Sequence, residues 1–166
     1  MSDLRVDPLA RSHQIDQFDC GVDELDRWLH RFARIAEAAD TARTYVLTSD
    51  AQVLGYYALA AGSVRRQELP ARHAAGTPRH PIGVILLARL AVSRAAQGRG
   101  YGSALLADAC QRALAAATVI GARAFVVHAS DERAAEFYRR FGFVDSPSDP
   151  LHLLVLLKDL RKTFGS

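Results

Sequence analysis

The chain has 166 residues, of which 49% are hydrophobic, and its formal net charge is +3 at pH 7, which suits one globular domain over residues 1–166. Its two cysteines show no C-x-x-C or Cys/His spacing, which argues against a metal site or a disulfide framework and favours a reducing compartment. The start of the chain lacks the pattern of a signal peptide and no apolar run is long enough to cross a bilayer, so we expect a cytoplasmic protein.

The first part of the chain predicts a strand, an amphipathic helix and a hairpin. Leu4–Leu9 suits a short strand that ends at Pro8. The next segment repeats apolar residues at helical spacing, which predicts a helix capped near Asp23. Its apolar face comprises Leu25, Trp28, Leu29 and Phe32, and its basic face comprises Arg27, His30, Arg31 and Arg34. Thr44–Thr48 and Val53–Ala60 predict two strands joined by the polar turn S-D-A-Q.

The remainder predicts a loop and then alternating strands and helices. Residues 65–80 carry Pro70, Gly76 and Pro78, which are typical of a loop. Ile82–Val92 is a nearly unbroken apolar run, typical of a central strand buried on both faces. The later elements are a long helix from a glycine hinge to about Ala117, a strand at Ala122–His128, a helix at Ser130–Arg140 stopped by Gly142, and a last strand at Leu151–Leu157. Two strand–helix–strand units at the centre predict a mixed, open α/β sheet.

The glycine hinge is the stretch Q-G-R-G-Y-G, Gln97–Gly102. A Walker A loop would need G-K-[ST], which the sequence lacks, and a Rossmann fingerprint would need a later third glycine followed by an acid about 20 residues on. Both nucleotide-binding motifs are therefore excluded. What remains is a row of backbone N–H groups at a helix N-terminus, which can bind a diphosphate because the glycines leave the approach open. Arg94 and Arg99 add positive charge at its rim.

Two motifs together resemble those of the GNAT N-acetyltransferases. V-S-R-A-A-Q-G-R-G-Y-G, residues 92–102, is similar to the Q/R-x-x-G-x-G/A acetyl-CoA motif, and D-E-R-A-A-E-F-Y-R-R-F-G-F, residues 131–143, resembles the family's tyrosine helix. The resemblance implies the GNAT fold, a mixed central sheet flanked by helices, with acetyl-CoA as co-substrate and no metal. The coenzyme-binding residues that it implies are Leu90, Ala91, Val92, Gln97, Gly98, Arg99, Gly100, Tyr101, Gly102 and Asp131. Asp131 departs from the pattern, since many GNATs have asparagine there.

A narrower resemblance covers nearly the whole chain. F-D-C-G-V-D-E-L-D-R-W-L, T-Y-V-L, G-Y-Y-A-L, L-A-R-L-A-V and Y-R-R-F-G-F are similar to segments of the GNAT toxins of bacterial toxin–antitoxin modules. Such toxins acetylate the amino group of aminoacyl-tRNA and stop translation, and a ribbon-helix-helix antitoxin inhibits them. The resemblance therefore implies an aminoacyl-tRNA substrate and an antitoxin partner. We also expect a homodimer, because the apolar positions of the last strand are predicted to be exposed.

The resemblance implies a catalytic role for Tyr138 as the general acid that protonates the departing thiolate, while a backbone N–H of the strand Leu90–Val92 binds the thioester carbonyl. On the residues alone, Tyr138 also fits a packing role, since it shares an apolar stripe with Ala134, Phe137 and Phe141. No strong general base is evident, because His128, Glu132 and Glu136 suit solvated or structural roles.

The missing base favours an α-amine over a lysine side chain as acceptor. An α-amine of pKa ~7.7 is almost a fifth neutral at pH 7, whereas a lysine of pKa ~10.4 is only about 0.04% neutral. Aminoacyl-tRNA and protein N-termini both carry such an amine. The chain has 19 arginines and 2 lysines, and this excess favours the polyanion. The predicted tRNA contacts are Arg27, Arg31, Arg34, Arg72, Arg79 and Arg89.

Two other functions stay open at this point. A GNAT that acts on a small amine, an antibiotic or a protein N-terminus would show acidic rather than basic walls around the acceptor. A degenerate acyl-CoA-binding module would use the same fold as an interaction partner, although the intact hinge and Tyr138 argue against it.

Overall fold

The computed structural model describes residues 4–77 and 79–164, so Pro78 of the predicted 65–80 loop lies outside the described residues. The strands are β1 (Leu4–Pro8), β2 (Arg43–Ser49), β3 (Gln52–Val64), β4 (Ile82–Val92), β5 (Ala124–His128), β6 (Val144–Ser146) and β7 (Asp149–Leu156). The α-helices are α1 (Asp23–Arg27), α2 (Ala33–Ala38), α3 (Ala71–Ala74), α4 (Tyr101–Ala117), α5 (Glu132–Arg140) and α6 (Leu157–Phe164). A π-helical turn (Trp28–Phe32) joins α1 to α2, and 3₁₀ turns occupy Arg66–Glu68 and Arg94–Ala96.

The strands form a mixed sheet in the order β1-β2-β3-β4-β5-β7-β6. The described residues fall into two compact units. The first unit contains the residues up to Ala60 together with Ala88–Ala109, and the second contains Ala61–Leu87 together with the residues from Cys110 onward. In the described residues no helix is both long and apolar enough to span a membrane.

The first unit is built on the antiparallel strands β1, β2 and β3, which the sequence predicts closely. Its core packs Phe18, Leu29, Val46 and Tyr56 with smaller apolar residues. The hairpin turn places Asp50 and its neighbour at positive φ, which lets two antiparallel strands join through two residues.

The first helix differs from its prediction in two ways. It begins after Val22, which provides no side-chain cap, and Asp23 is its first helical residue. Phe32 was predicted to face inward, but it is 48% exposed, while Ala33 is buried. The π-helical turn explains the change, because its extra residue rotates the following helix and exchanges the inward position of Phe32 for Ala33.

The second unit contains a parallel pair and an antiparallel group. β4 and β5 pair in parallel from Ile85↔Phe125 to Leu87↔Val127, with α4 as the connection between the two strands. β5 pairs antiparallel with β7, which also pairs with the short strand β6. Of the two predicted strand–helix–strand units, only the one built on α4 therefore joins parallel neighbours.

The end of the chain corrects two predictions. β7 is followed by the helix α6, although the predicted elements ended with the last strand, and β6 was not predicted either. The apolar residues of β7 from Leu153 to Leu156 are buried within the chain, at 8% exposure or less. The stated reason for a dimer is therefore wrong, while the homodimer itself stays a prediction.

Candidate active site

The hinge follows β4 after Ser93 and the 3₁₀ turn Arg94–Ala96, and two backbone hydrogen bonds fix the segment that leads into it. Ser93 N donates to Leu54 O at 2.8 Å, and Arg94 N donates to Asp19 O at 2.8 Å. Gly98 and Gly100 then adopt φ of +81° and +83°, and a Cβ added at either would meet no atom within 4 Å. These two glycines are required by the left-handed backbone rather than by crowding, and they leave open space above it.

Most backbone amides of the hinge have no acceptor among the described residues. Residues 97–104 are all described, and there the Gln97 amide makes only a long contact of 3.4 Å to Arg94 O. The next amide that donates is that of Ala104, to Gly100 O at 3.1 Å, so the amides of residues 98–103 have no partner. A helix of 17 residues follows and adds its macrodipole. A run of unpaired N–H groups in open space fits the diphosphate of acetyl-CoA.

The side chain of Gln97 makes two hydrogen bonds to backbone carbonyls, which the sequence did not predict. Its Nε2 donates to Cys20 O at 3.0 Å and to Val92 O at 2.9 Å, which ties the F-D-C-G segment to the end of β4. Nearby, Arg94 Nε pairs with Asp19 Oδ1 at 3.1 Å. The N–H of Gly21, assisted by Arg94, holds the pKa of Asp19 below its ordinary value. Gln97 therefore shapes the start of the hinge, and its side-chain amide is already engaged.

Gly55 is a second structural residue of this region that sequence reasoning missed. A Cβ at this position would lie 2.7 Å from Leu105 Cδ1 and 3.0 Å from Ala91 O. Strand β3, the end of β4 and helix α4 therefore approach more closely than a side chain would permit. The motif G-Y-Y-A-L contained this glycine, but nothing in the sequence indicated which atoms it faces.

The end of β4 is not paired with β5. Within the described residues of β4 the parallel pairing stops at Leu87, five residues before the strand ends at Val92. Ala91 is buried, and Leu90 and Val92 are half-buried. The main chain of these three residues is thus not used by β5, which is the condition that an N–H donor to a thioester carbonyl requires.

Tyr138 lies in the second unit on α5, where it is 6% exposed. Its ring contacts those of Phe137 and Phe143 at centroid distances of 5.2 Å and 5.7 Å. Burial raises its pKa well above the ordinary value of a phenol. Its hydroxyl has no hydrogen-bond partner among the described residues and is not sealed from solvent. The Tyr138 phenol is therefore protonated, and its hydroxyl can donate a hydrogen bond to a ligand.

The start of α5 is capped by Asp131, whose Oδ1 accepts the N–H of Ala134 at 2.8 Å. One oxygen of this carboxylate is thus used within the helix. Asparagine would cap the helix equally well, so the cap does not account for the acid at this position, and the predicted contact of Asp131 with the coenzyme stays a prediction.

Arg139, next to Tyr138, holds α5 in place through three carboxylates. Its guanidinium lies 2.6 Å from Glu132 Oε1, 2.9 Å from Glu136 Oε2 and 2.9 Å from Asp145 Oδ1. Asp145 first, and then Glu132 and Glu136, raise the pKa of Arg139 above its ordinary value. Because Asp145 belongs to β6, the group fixes the rotation of α5 relative to that strand. Sequence reasoning missed this group, since only Glu136 lies at the ordinary helical spacing of three residues, while Glu132 and Asp145 are seven and six residues away.

The other titratable groups near α5 are engaged as well. Glu132 and Glu136 pair with Arg139, and the exposed ring of His128 packs edge-on against His152 with centroids 4.2 Å apart. Burial, and then His128, lowers the pKa of His152. The described residues contain no group of three or more His, Cys, Asp or Glu side chains that could hold a metal.

The six arginines predicted to contact tRNA differ in their surroundings. Arg27, Arg31, Arg72 and Arg79 are exposed. Arg34 is exposed but donates to His13 O at 2.9 Å, which ties the helix to the preceding loop. Arg89 is not a surface residue of this kind. It is half-buried, and its guanidinium carbon lies 5.5 Å from the centre of the Trp28 ring.

Comparisons with known proteins agree with this geometry. Residues 40–145 match the family model described as an acetyltransferase (GNAT) domain. A tRNA-acetylating toxin of Mycobacterium tuberculosis is 43% identical over 157 residues, which cover 95% of this chain and 94% of the relative. A probable toxin TacT of Sinorhizobium fredii is 30% identical over 171 residues, which cover 96% of this chain and 94% of that protein.

Solved structures are similar over the full chain. A mutant of KacT superposes with a TM-score of 0.92 at 27% identity, covering 97% of this chain and 99% of that one. AtaT in complex with acetyl-methionyl-tRNAfMet gives a TM-score of 0.89 at 29% identity, covering 98% and 99%. An AtaT mutant toxin bound to acetyl-CoA and the C-terminus of the antitoxin AtaR gives 0.83 at 28% identity, covering 99% of each.

Proposed function

Because the chain belongs to the GNAT family of acetyltransferases, we propose that it is a toxin of a toxin–antitoxin module that acetylates aminoacyl-tRNA. It transfers the acetyl group of acetyl-CoA to the α-amino group of the aminoacyl ester and so blocks translation. The observation that carries the coenzyme assignment is the row of unpaired amides over residues 98–103. The acceptor is supported by the similarity, over 95% of the chain, to a tRNA-acetylating toxin.

The hinge binds the coenzyme through main-chain groups. The amides of residues 98–103 hold the diphosphate, and the exposed Arg99 adds charge at the rim. Acetyl-CoA supplies an activated acyl group as a thioester. The strand Leu90–Val92 donates a backbone N–H to the carbonyl oxygen, where negative charge develops as the amine attacks.

Tyr138 supplies the proton that the departing sulfur needs. Its raised pKa keeps the phenol protonated at neutral pH, and no described residue bonds its hydroxyl and competes for the proton. The N–C bond forms while the C–S bond breaks, the phenol proton passes to sulfur, and the proton lost by the amine passes to water. Water then restores the proton of Tyr138.

The acceptor is an α-amine because the carboxylates near α5 are occupied. Glu132 and Glu136 both pair with Arg139, so neither is free to deprotonate a lysine ammonium. An α-amine of pKa ~7.7 needs no base near neutral pH. The same proposal includes a ribbon-helix-helix antitoxin that inhibits the chain, a homodimer, and action in the cytoplasm, where charged tRNA is found.

The test is transfer of radiolabelled acetyl from acetyl-CoA to charged bulk tRNA by the purified chain. We expect label that precipitates with tRNA and is released by mild alkali, which hydrolyses the aminoacyl ester. Tyr138→Phe is the matched control and should transfer little. Label that appears only on small amines or on peptide N-termini would overturn the tRNA assignment in favour of the alternative GNAT activity.

A further inference from the structure

A pocket of about 370 Å³ in the first unit lies outside the groups used above. We call it the Trp28 pocket, and it is lined by Asp23, Glu24, Arg27, Trp28, Phe32 and Arg89. Its size falls in the range of small-ligand sites. Neither the hinge nor Tyr138 contributes to it.

The floor of the pocket is rigid. Trp28 stacks on Tyr56 with ring centroids 6.0 Å apart and an interplanar angle of 7°. Tyr56 is itself fixed, because its hydroxyl donates to Leu25 O at 2.7 Å. The Arg89 guanidinium then lies over Trp28 at 5.5 Å, in a cation–π contact. The pocket is thus shaped before any ligand arrives.

Arg89 lines this pocket with its guanidinium, whose Nε lies beneath the pocket surface. One of its terminal nitrogens donates to the carbonyl of Ala88 at 2.9 Å, but its Nε is buried and has no hydrogen-bond partner. A buried donor without an acceptor is unfavourable unless a ligand supplies one. Opposite it, Phe32 is 48% exposed, so an aromatic face is also open to a ligand.

The chemistry of the lining points to one nucleotide rather than to a run of phosphates. An exposed aromatic ring suits a nucleobase, and the guanidinium of Arg27 suits a single phosphate. Asp23 and Glu24 would repel a stretch of backbone phosphates, but carboxylates accept hydrogen bonds from ribose hydroxyls. The lining therefore matches a base, a sugar and one phosphate together.

We propose that the Trp28 pocket binds the 3′-terminal nucleotide of the tRNA acceptor arm, which rests on the function proposed above. The base stacks on Phe32, Arg27 pairs with the phosphate, and the Arg89 guanidinium donates to an acceptor atom of the nucleotide. Arg89 immediately precedes Leu90–Val92 on β4, and strand residues advance about 3.3 Å each. A nucleotide held there keeps its aminoacyl ester close to the main chain that binds the thioester.

The test measures the binding of two uncharged acceptor-stem hairpins by fluorescence anisotropy, one ending in CCA and one lacking the final A. We expect the wild-type chain to bind the complete hairpin about tenfold to hundredfold more tightly, as one stacked base provides. Phe32→Ala and Arg89→Gln should reduce this ratio to roughly one to two, with acetyl-CoA affinity in calorimetry unchanged. Arg11→Gln, an exposed arginine of the same unit, should keep the ratio.

Equal affinity of the wild-type chain for both hairpins overturns the proposal, and so does a Phe32→Ala variant that keeps the ratio. Phe32 is surface-exposed, so this variant decides the matter even if Arg89→Gln does not fold. Because the readout is binding, it is independent of catalysis. Failure to acetylate charged tRNA would instead count against the proposed function.

Discussion

Tyr56 in the first unit and Tyr138 in the second are both buried, and burial raises the pKa of each. They differ in what the hydroxyl meets. That of Tyr56 donates to Leu25 O at 2.7 Å, whereas that of Tyr138 has no partner among the described residues. A buried hydroxyl that is already bonded supports structure, and one that is left without a partner is available to a substrate.

This difference could not be seen from the sequence, where both residues are tyrosines in apolar segments. The pattern around Tyr138 fitted packing as well as catalysis. Only the absence of a partner for its oxygen separates the two roles. Four measurements would test the contrast between the two tyrosines.

Tyr138→Phe should lower kcat by about 10²–10⁴, because the sulfur then leaves without a proton donor. The ring still packs against Phe137 and Phe143, so melting temperature and acetyl-CoA affinity should stay the same. Steady-state kinetics and calorimetry on the same preparation measure both. A kcat within threefold of wild type would mean that Tyr138 has only a structural role, like Tyr56.

Tyr56→Phe should show the opposite pattern. It removes one hydrogen bond to Leu25 O, so the free energy of unfolding should fall by about 1 kcal/mol, measured by urea denaturation. Because Tyr56 meets no reacting atom in the proposed mechanism, kcat should remain within about threefold. A loss of kcat as large as that of Tyr138→Phe, with stability unchanged, would contradict the comparison.

Arg139→Gln should lower kcat about tenfold by loosening the helix that carries Tyr138, and it should have almost no further effect in the Tyr138→Phe background. Arg133→Gln is the control, since Arg133 is exposed on the same helix. The four rate constants form a double-mutant cycle. Additive losses would mean that Arg139 acts on the whole fold and does not position Tyr138.

The pH dependence should reflect the acceptor and neither tyrosine. The pKa of both phenols is raised, so both stay protonated past pH 10 and cause no loss of activity below it. The neutral fraction of an α-amine of pKa ~7.7 rises about sixfold between pH 7 and pH 9, and the rate at low acceptor concentration should follow it. A decline between pH 8 and pH 9 would indicate a different acid. Single-turnover rates with a stable charged analogue would measure this profile.

The sequence predicted the fold well where apolar periodicity dominated. Ile82–Val92 has its predicted bounds, the helix after the hinge ends at Ala117 as expected, and the GNAT fold is confirmed. Predictions failed where tertiary contacts decide. The π-helical turn that moves Phe32 outward and the short strand β6 depend on packing with distant residues. The single domain over residues 1–166 and the homodimer stay predictions.

The sequence indicated where the hinge lies in the chain, but it did not indicate what each of its side chains contacts. The hinge glycines were identified because they leave the approach to the backbone amides open, and the structure has Gly98 and Gly100 at positive φ with open space around them. Gln97, by contrast, was assigned to the coenzyme, although its side chain bonds Cys20 O and Val92 O. Those partners lie 77 and 5 residues away, and no local pattern reports the longer contact. Side-chain roles that depend on such contacts need coordinates.

In the proposed function, the row of main-chain amides at the hinge contacts only the diphosphate of the coenzyme and makes no contact with the acetyl group at its far end. Free coenzyme A, the product of each turnover, carries the same diphosphate and competes for the same amides. The rate of translation arrest would therefore follow the ratio of acylated to free carrier in the cell. A cell in which that ratio falls would be partly protected from its own toxin.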